Sequence, residues 1–117
     1  MQRYLRLRRG LDIRGVYASR QSLGGTYLVL HFRPNGLENS RFGFAISARL
    51  AKAVRRNLLR RRLRATAQKL APTLSKMDVV VVARPGALEA SYAELEEELR
   101  RLLARAGQGG AAQPPAG

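Results

Sequence analysis

The sequence predicts an α+β fold, a two-layer sandwich in which helices pack on a small mixed β-sheet. Three segments place apolar residues at helical spacing, and three others show the alternation or the β-branched run of strands. The predicted order is helix, strand, strand, helix, strand, helix, with room for an extra strand near residues 20–24. The length of 117 residues suits one domain, and 45% apolar residues are enough for a modest core.

The first half of the chain begins with a basic arm over residues 1–9, and residues 10–18 then predict a short helix. Its apolar side carries three residues at spacings of three and four: Ile13, Val16 and Tyr17.

Residues 26–33 predict a strand with two different faces. One face carries Leu28, Leu30 and Phe32, and the other carries Tyr27, Val29 and His31. Residues 41–48 predict a second strand with one bulky face, formed by Phe42, Phe44 and Ile46. Small residues on the opposite face leave room for something to lie against it.

The second half predicts a long helix over residues 53–70, whose core face is Leu59, Leu63, Thr66, Ala67 and Leu70. The β-branched run over 78–84 predicts a strand covered on both faces.

Ser91 and Glu94 form a capping box that starts the last helix. Its apolar stripe is Tyr92, Leu95, Leu99, Leu102, Leu103 and Ala106, and its glutamates from Glu94 to Glu98 are expected to be solvated. We expect a single domain over 1–106 and a disordered tail over 107–117.

Charge is the strongest functional signal. The chain has 22 Lys and Arg against 8 Asp and Glu, a net charge of +14, which favours nucleic acid as the partner. The absence of Cys and the single His exclude thiolate and multi-histidine metal sites. No apolar run approaches about 18 residues, so no membrane span and a cytoplasmic location are expected. The scattered acids show no catalytic pair, so the protein is not expected to be a catalyst by itself.

The densest charge lies in the segment 49–64, which reaches into the predicted helix 53–70. At about 100° per residue, Asn57, Arg61, Arg64 and Gln68 form a stripe opposite the leucine face. Guanidinium groups bind phosphate oxygens, and the Asn57 amide can bind a base edge or ribose, or offer its carbonyl to hydrated Mg²⁺ held by RNA phosphates. No acid intervenes from residue 41 to residue 76, and like charges on one face destabilise a helix, so this face indicates a partner. The candidate RNA-binding residues are Arg49, Lys52, Arg55, Arg56, Asn57, Arg60, Arg61 and Arg64.

This segment resembles the signature of the bacterial ribonuclease P protein family, often called its RNR motif. The matching residues are Ala53, Val54, Arg56, Asn57, Arg60, Arg61 and Arg64. The resemblance extends over about residues 3–104. It includes Arg6, Leu7, Asp12, Val16 and Tyr17 in the N-terminal segment, Phe42, Gly43 and Ser47 in the central strand, and residues 78–84 in the last strand.

The resemblance implies a left-handed βαβ crossover through the basic helix, against the usual right-handed rule. It also implies a subunit of ribonuclease P, in which a catalytic RNA with Mg²⁺ removes the 5′ leader of precursor tRNA. By position, Arg49, Arg56, Asn57, Arg60, Arg61 and Arg64 would contact that RNA or order metal near it. The leader would lie in a cleft lined by Ile13, Tyr17, Val29, His31 and Ser47. Ile13 and His31 stand where the family commonly has aromatic residues, and Arg20 stands where it usually has a glycine.

Two other hypotheses for the function are compatible with parts of the sequence. A ribosomal or other structural RNA-binding protein would have the same composition, although the Arg56-Asn57 pair and the cleft favour ribonuclease P. A DNA-binding or membrane-active basic helix is disfavoured because the sequence lacks zipper heptads and helix-turn-helix spacing, and because the helix has a leucine face. Neither DNA nor a membrane is an expected partner.

Overall fold

The computed structural model describes residues 6–7, 10–37, 39–73 and 76–107. The helices are α1 (Gly10–Ala18), α2 (Ala53–Leu70) and α3 (Tyr92–Gly107). The strands are β1 (Ser22–Gly24), β2 (Leu28–Pro34), β3 (Arg41–Ala45) and β4 (Met77–Ala83). Short 3₁₀ turns follow α2 at Ala71–Thr73 and β4 at Pro85–Leu88. The α+β class, the element order and the extra strand are confirmed, whereas most of the basic arm and the tail beyond residue 107 lie outside the described residues.

The four strands form one mixed sheet in the order β1-β2-β4-β3. Strand β2 pairs antiparallel with β1 and β4, while the edge strand β3 runs parallel to β4. Helix α2 connects these two parallel strands, so β3, α2 and β4 form a βαβ unit. The left-handedness of its crossover stays a prediction from the family resemblance.

Helices α2 and α3 cover one face of the sheet and bury the main core. Their inward residues include Leu59, Leu63, Leu99 and Leu102, which pack with the bulky faces of the strands as the sequence predicts. The other face carries a smaller cluster of Leu7, Val16 and Val80 beneath α1. The sheet is therefore covered on both sides, fully by α2 and α3 and partly by α1.

The structure corrects several details of the sequence prediction. Strand β3 ends at Ala45, three residues early, because Ile46 and Ser47 enter the loop that turns toward α2. Leu70 is only half-buried, since it lies in the last turn of α2, and the Tyr92 side chain is exposed at the start of α3. Glu98 is buried rather than solvated, because the loop before β2 surrounds its carboxylate with N–H donors.

The turn after α1 explains the unusual position of Arg20. Arg20 has φ of 57°, in the left-handed region that glycine adopts without strain. The resemblance described above implies a glycine at this position. An arginine in the left-handed conformation is less stable by about 1–2 kcal/mol. The turn is held nevertheless, because the Ser19 hydroxyl lies within hydrogen-bond distance of the carbonyls of Val16 (2.6 Å) and Phe32 (2.9 Å) and can donate its one proton to either.

Candidate nucleic-acid interface

One face of α2 is a row of cations directed away from the core. Because Leu59 and Leu63 anchor the helix on the sheet, Asn57 and Arg61 on the opposite side are exposed. Helix α2 carries six of the predicted RNA-binding residues, called here the basic row: Arg55, Arg56, Asn57, Arg60, Arg61 and Arg64. Arg49 and Lys52 lie in the loop that leads into α2, and the Arg49 backbone N–H donates to the Ser47 hydroxyl at 3.1 Å.

The hydrogen bonds of this row go to neutral acceptors. The Arg60 guanidinium donates a hydrogen bond to the Asn57 side-chain oxygen at 2.8 Å, and the Arg56 guanidinium donates one to the Ala51 carbonyl at 3.0 Å. Arg55 donates to the Leu88 carbonyl at 3.2 Å. Within the described ranges, no carboxylate forms an ion pair with any cation of the row. The protein thus orients the guanidinium groups of Arg55, Arg56 and Arg60, and it leaves the positive charge of the row without a carboxylate partner among the described residues.

Two further features show that this charge is unfavourable in the isolated protein. Burial, together with repulsion from Arg6 and Arg60, lowers the pKa of Arg64. The first turn of α2 contains cations and no acid, and Lys52 provides no side-chain cap. Positive charge at a helix N-terminus opposes the helix dipole. A bound polyanion would relieve both effects.

A second candidate surface lies on the sheet beside α1. Tyr17 and His31 are in ring contact, with centroids 4.7 Å apart and planes inclined at 59°. Ile13 packs beside Val16 and Val80, and Val29 pairs with Val82 on the same face of the sheet. Val29 and Val82 are only half-buried, so α1 leaves part of this face accessible. Ser47 lies in the exposed loop between this face and α2.

Arg84 adds a charge to this surface that the sequence prediction did not include. The alternation of β4 continues through Val80 and Val82 to Arg84, since the Arg84 backbone N–H still bonds to the Tyr27 carbonyl at 2.8 Å. The Nε atom of Arg84 is buried without a hydrogen-bond partner. Such a group is normally satisfied, so the unpartnered Nε makes Arg84 a candidate member of this surface. The alternation of the strand was the sequence signal that could have identified it.

An ionic cluster holds α1 in place over the sheet. Asp78, with a fully buried side chain, accepts hydrogen bonds from Arg41 at 2.8 and 2.7 Å and from Asn35 at 2.9 Å. Asp12 of α1 pairs with Arg41 at 3.5 Å and with Arg33 at 3.8 Å. The Arg33 guanidinium lies so close to Gly15 that a Cβ there would overlap it. This cluster, called here the Asp78 clasp, connects the N-terminal part of α1 to β2, β3 and β4.

Acidic and histidine side chains do not cluster among the described residues: no group of three or more of them could hold a metal ion. The Asn57 side-chain oxygen accepts a hydrogen bond from Arg60 and lies among cations, which disfavours a direct bond to a divalent ion. Among the same residues, no helix is long and apolar enough to cross a membrane.

The sequence of the chain matches a known protein family over almost the whole of its described part. A family model described as Ribonuclease P matches residues 1–107. The chain belongs to the ribonuclease P protein family. Membership makes it a protein component of a ribonucleoprotein endoribonuclease that processes the 5′ end of tRNA, with RNA as its partner.

Individual relatives agree with this assignment. The chain is 32% identical over 103 residues to the ribonuclease P protein component of Syntrophomonas wolfei, covering 87% of each chain. It is 37% identical over 99 residues to that of Coxiella burnetii, covering 84% of this chain and 82% of the relative.

Solved structures of this family have the same fold. The RNase P protein from Thermotoga maritima matches with a TM-score of 0.78 and 32% identity, covering 86% of this chain and 96% of that one. The Staphylococcus aureus RNase P protein matches with a TM-score of 0.81 over 87% of this chain and 94% of that one. At 23% identity this second likeness supports the fold alone.

Proposed function

We propose that the chain, in the cytoplasm, binds ribonuclease P RNA through the basic row of α2 and binds the 5′ leader of precursor tRNA on the sheet beside α1. The observation that carries the first part is a row of guanidinium groups on α2, three of them oriented by hydrogen bonds to neutral acceptors, with no carboxylate partner among the described residues. Counterion release on binding phosphates provides the affinity. Asn57 among the arginines adds a group that can contact a base edge or ribose.

The chemistry of cleavage belongs to the RNA in this proposal. Mg²⁺ is held mainly by RNA phosphates, and Asn57 contributes at most through the hydration shell of the ion, because its side-chain oxygen already accepts from Arg60. The described residues of the protein instead position the RNA and the leader.

The role of the basic row is tested by Asn57→Ala and Arg61→Ala. Each variant is expected to weaken binding to a bacterial ribonuclease P RNA by about 1–3 kcal/mol, because an oriented contact is lost. The matched control is Arg105→Ala, which removes one exposed charge from α3 and should leave binding unchanged. Binding is measured by titration at fixed salt, and leader removal is measured at low Mg²⁺. Unchanged affinity and cleavage in both variants would contradict the proposal.

The leader surface is tested separately with Tyr17→Leu and Arg84→Ala. Stacking on an aromatic ring contributes about 1–3 kcal/mol per base, so Tyr17→Leu should reduce the preference of the holoenzyme for precursor over mature tRNA. Arg84→Ala should do the same by removing a positive charge from the half-buried side chain beside the sheet surface. Asn57→Ala is the contrasting variant, since it should weaken assembly but keep the leader preference. If both Tyr17→Leu and Arg84→Ala retain the full preference, the leader lies elsewhere.

A further inference from the structure

A shallow groove of about 430 Å³ lies beside the basic row, between α2 and the start of α3. Its apolar part is formed by Leu58, Ala65 and Tyr92, and its polar rim includes Arg61, Arg62 and Arg64. Leu58, Arg62 and Tyr92 are separate from the residues assigned above to RNA binding. The groove therefore adds chemistry that the arginine row alone does not have.

The apolar groups of this groove are unusually accessible for large side chains. Leu58 is 44% exposed and Tyr92 37% exposed, and Val54 one turn before Leu58 is 80% exposed. The Tyr92 ring is held in place by Arg62, whose guanidinium carbon lies 5.6 Å from the ring centroid. A cation above a ring stabilises one orientation of it, so the groove presents a fixed aromatic surface next to an exposed leucine.

The charge around the groove indicates which ligand would cover it. Its lining contains three arginines and no carboxylate. A protein partner with an apolar side chain would leave these guanidinium groups desolvated without an anion, which is costly. A nucleotide combines a flat apolar base with an anionic phosphate, and the groove volume falls within the range of about 300–1,000 Å³ of small-molecule sites.

We propose that this groove seats an unpaired base of the ribonuclease P RNA, stacked against Tyr92 and Leu58, with Arg61 and Arg64 on the flanking phosphates. This inference rests on the proposed function and deepens it. The α2 face then binds RNA in two ways, through phosphates along the basic row and through one extruded base at its side. Arg62 orients the Tyr92 ring before the RNA arrives.

The test compares Tyr92→Leu with Tyr92→Phe, using the full chain and a bacterial ribonuclease P RNA. Tyr92→Leu removes the aromatic face and keeps an apolar side chain, so it should weaken binding about 5- to 150-fold, the equivalent of about 1–3 kcal/mol per stacked base. Tyr92→Phe should bind as the parent does. Chemical probing of the RNA should show one base that is protected by the parent and by Tyr92→Phe but reactive with Tyr92→Leu.

A second variant does not depend on Tyr92. Ala65→Gln fills the groove from an exposed position of α2 without a change of charge, and should weaken binding and expose the same base. Ala104→Gln, at an exposed position of α3, is its control and should have no effect. Thermal unfolding of each variant establishes that the fold is intact.

The outcomes separate this inference from the proposed function. If Asn57→Ala and Arg61→Ala weaken binding while Tyr92→Leu and Ala65→Gln bind and protect the RNA as the parent does, the base site is wrong and the function stands. If the parent chain does not bind the RNA, the proposed function itself fails. If Tyr92→Leu leaves RNA binding intact but abolishes a dimer seen in sedimentation, the groove belongs to a second copy and the proposal is overturned.

Discussion

Glu98 is a buried carboxylate that binds the backbone of a loop. Its two oxygens accept hydrogen bonds from the N–H groups of Thr26, Tyr27 and Leu28, each at 2.7 Å. Gly25 permits this approach, because a Cβ there would lie 2.5 Å from the Glu98 carboxyl carbon. One α3 side chain thus holds the turn that starts β2, which carries Val29 and His31 of the proposed leader surface.

Glu98→Gln should lower the free energy of unfolding by about 1–3 kcal/mol, because the amide NH₂ replaces an acceptor and faces N–H donors. Glu97→Gln is the matched control. Glu97 is exposed and pairs with Arg100 at the surface, where solvent screens the ion pair and it contributes little to stability. Urea unfolding of both variants measures the difference. Equal losses would show that the three backbone hydrogen bonds do not stabilise the fold.

At the level of elements, the Asp78 clasp determines where α1 lies. Burial alone would raise the pKa of the Asp78 carboxyl, but hydrogen bonds from Arg41 and Asn35 and the nearby positive charges outweigh it, so the pKa lies below its ordinary value of 3.8. A carboxyl with a depressed pKa in the folded state stabilises the protein above the pKa of the unfolded chain. This contribution is lost as the pH falls through the folded-state pKa.

Asp78→Asn should therefore destabilise the protein at neutral pH, by about 1–3 kcal/mol for the lost charged hydrogen bonds. The difference from the parent should shrink below about pH 4, where the Asp78 carboxyl of the unfolded parent takes up a proton that the folded form does not yet bind. Unfolding measured at neutral pH and at about pH 3 checks this. A difference that is independent of pH would mean that the charge of Asp78 is not what holds α1.

At the scale of the molecule, the net charge of +14 is distributed unequally. The acids of α3 pair with Lys69, Arg100 and Arg101, while the clasp neutralises Arg33 and Arg41. Uncompensated cations remain along α2. Among the described residues, α2 is thus the element with the most cations that lack a carboxylate partner, and an RNA bound there would release its counterions.

RNA affinity should accordingly fall steeply with salt. The slope of log K against log salt should become shallower by about one for Arg61→Ala or Arg64→Ala. It should be unchanged for Arg105→Ala and for Tyr92→Leu, since neither removes a phosphate contact in our proposal. Binding isotherms at several salt concentrations give these slopes. An equal change for Arg105→Ala would show that the charge acts non-specifically.

The sequence by itself determined the element order, the bounds of α1 and α2, the buried faces of the strands and the basic row. These are local properties: a repeat of 3.6 or 2 residues, a capping box or a run of one charge is visible within a few positions. The arrangement of Asn57 among arginines on one helix face is of this kind, and the family resemblance rests on the same segment.

Only the tertiary structure decided the long-range partners. The Glu98 carboxylate is more than seventy positions from Thr26 and Tyr27, and Asp78 is far from Arg41 in the chain, so no periodicity connects them. The contact of Tyr92 with Arg62, and the groove they form, likewise depend on how α3 packs against α2. The burial of a single carboxylate can be judged only once its partners are known, because the same group is solvated on an open helix and buried where a loop supplies donors.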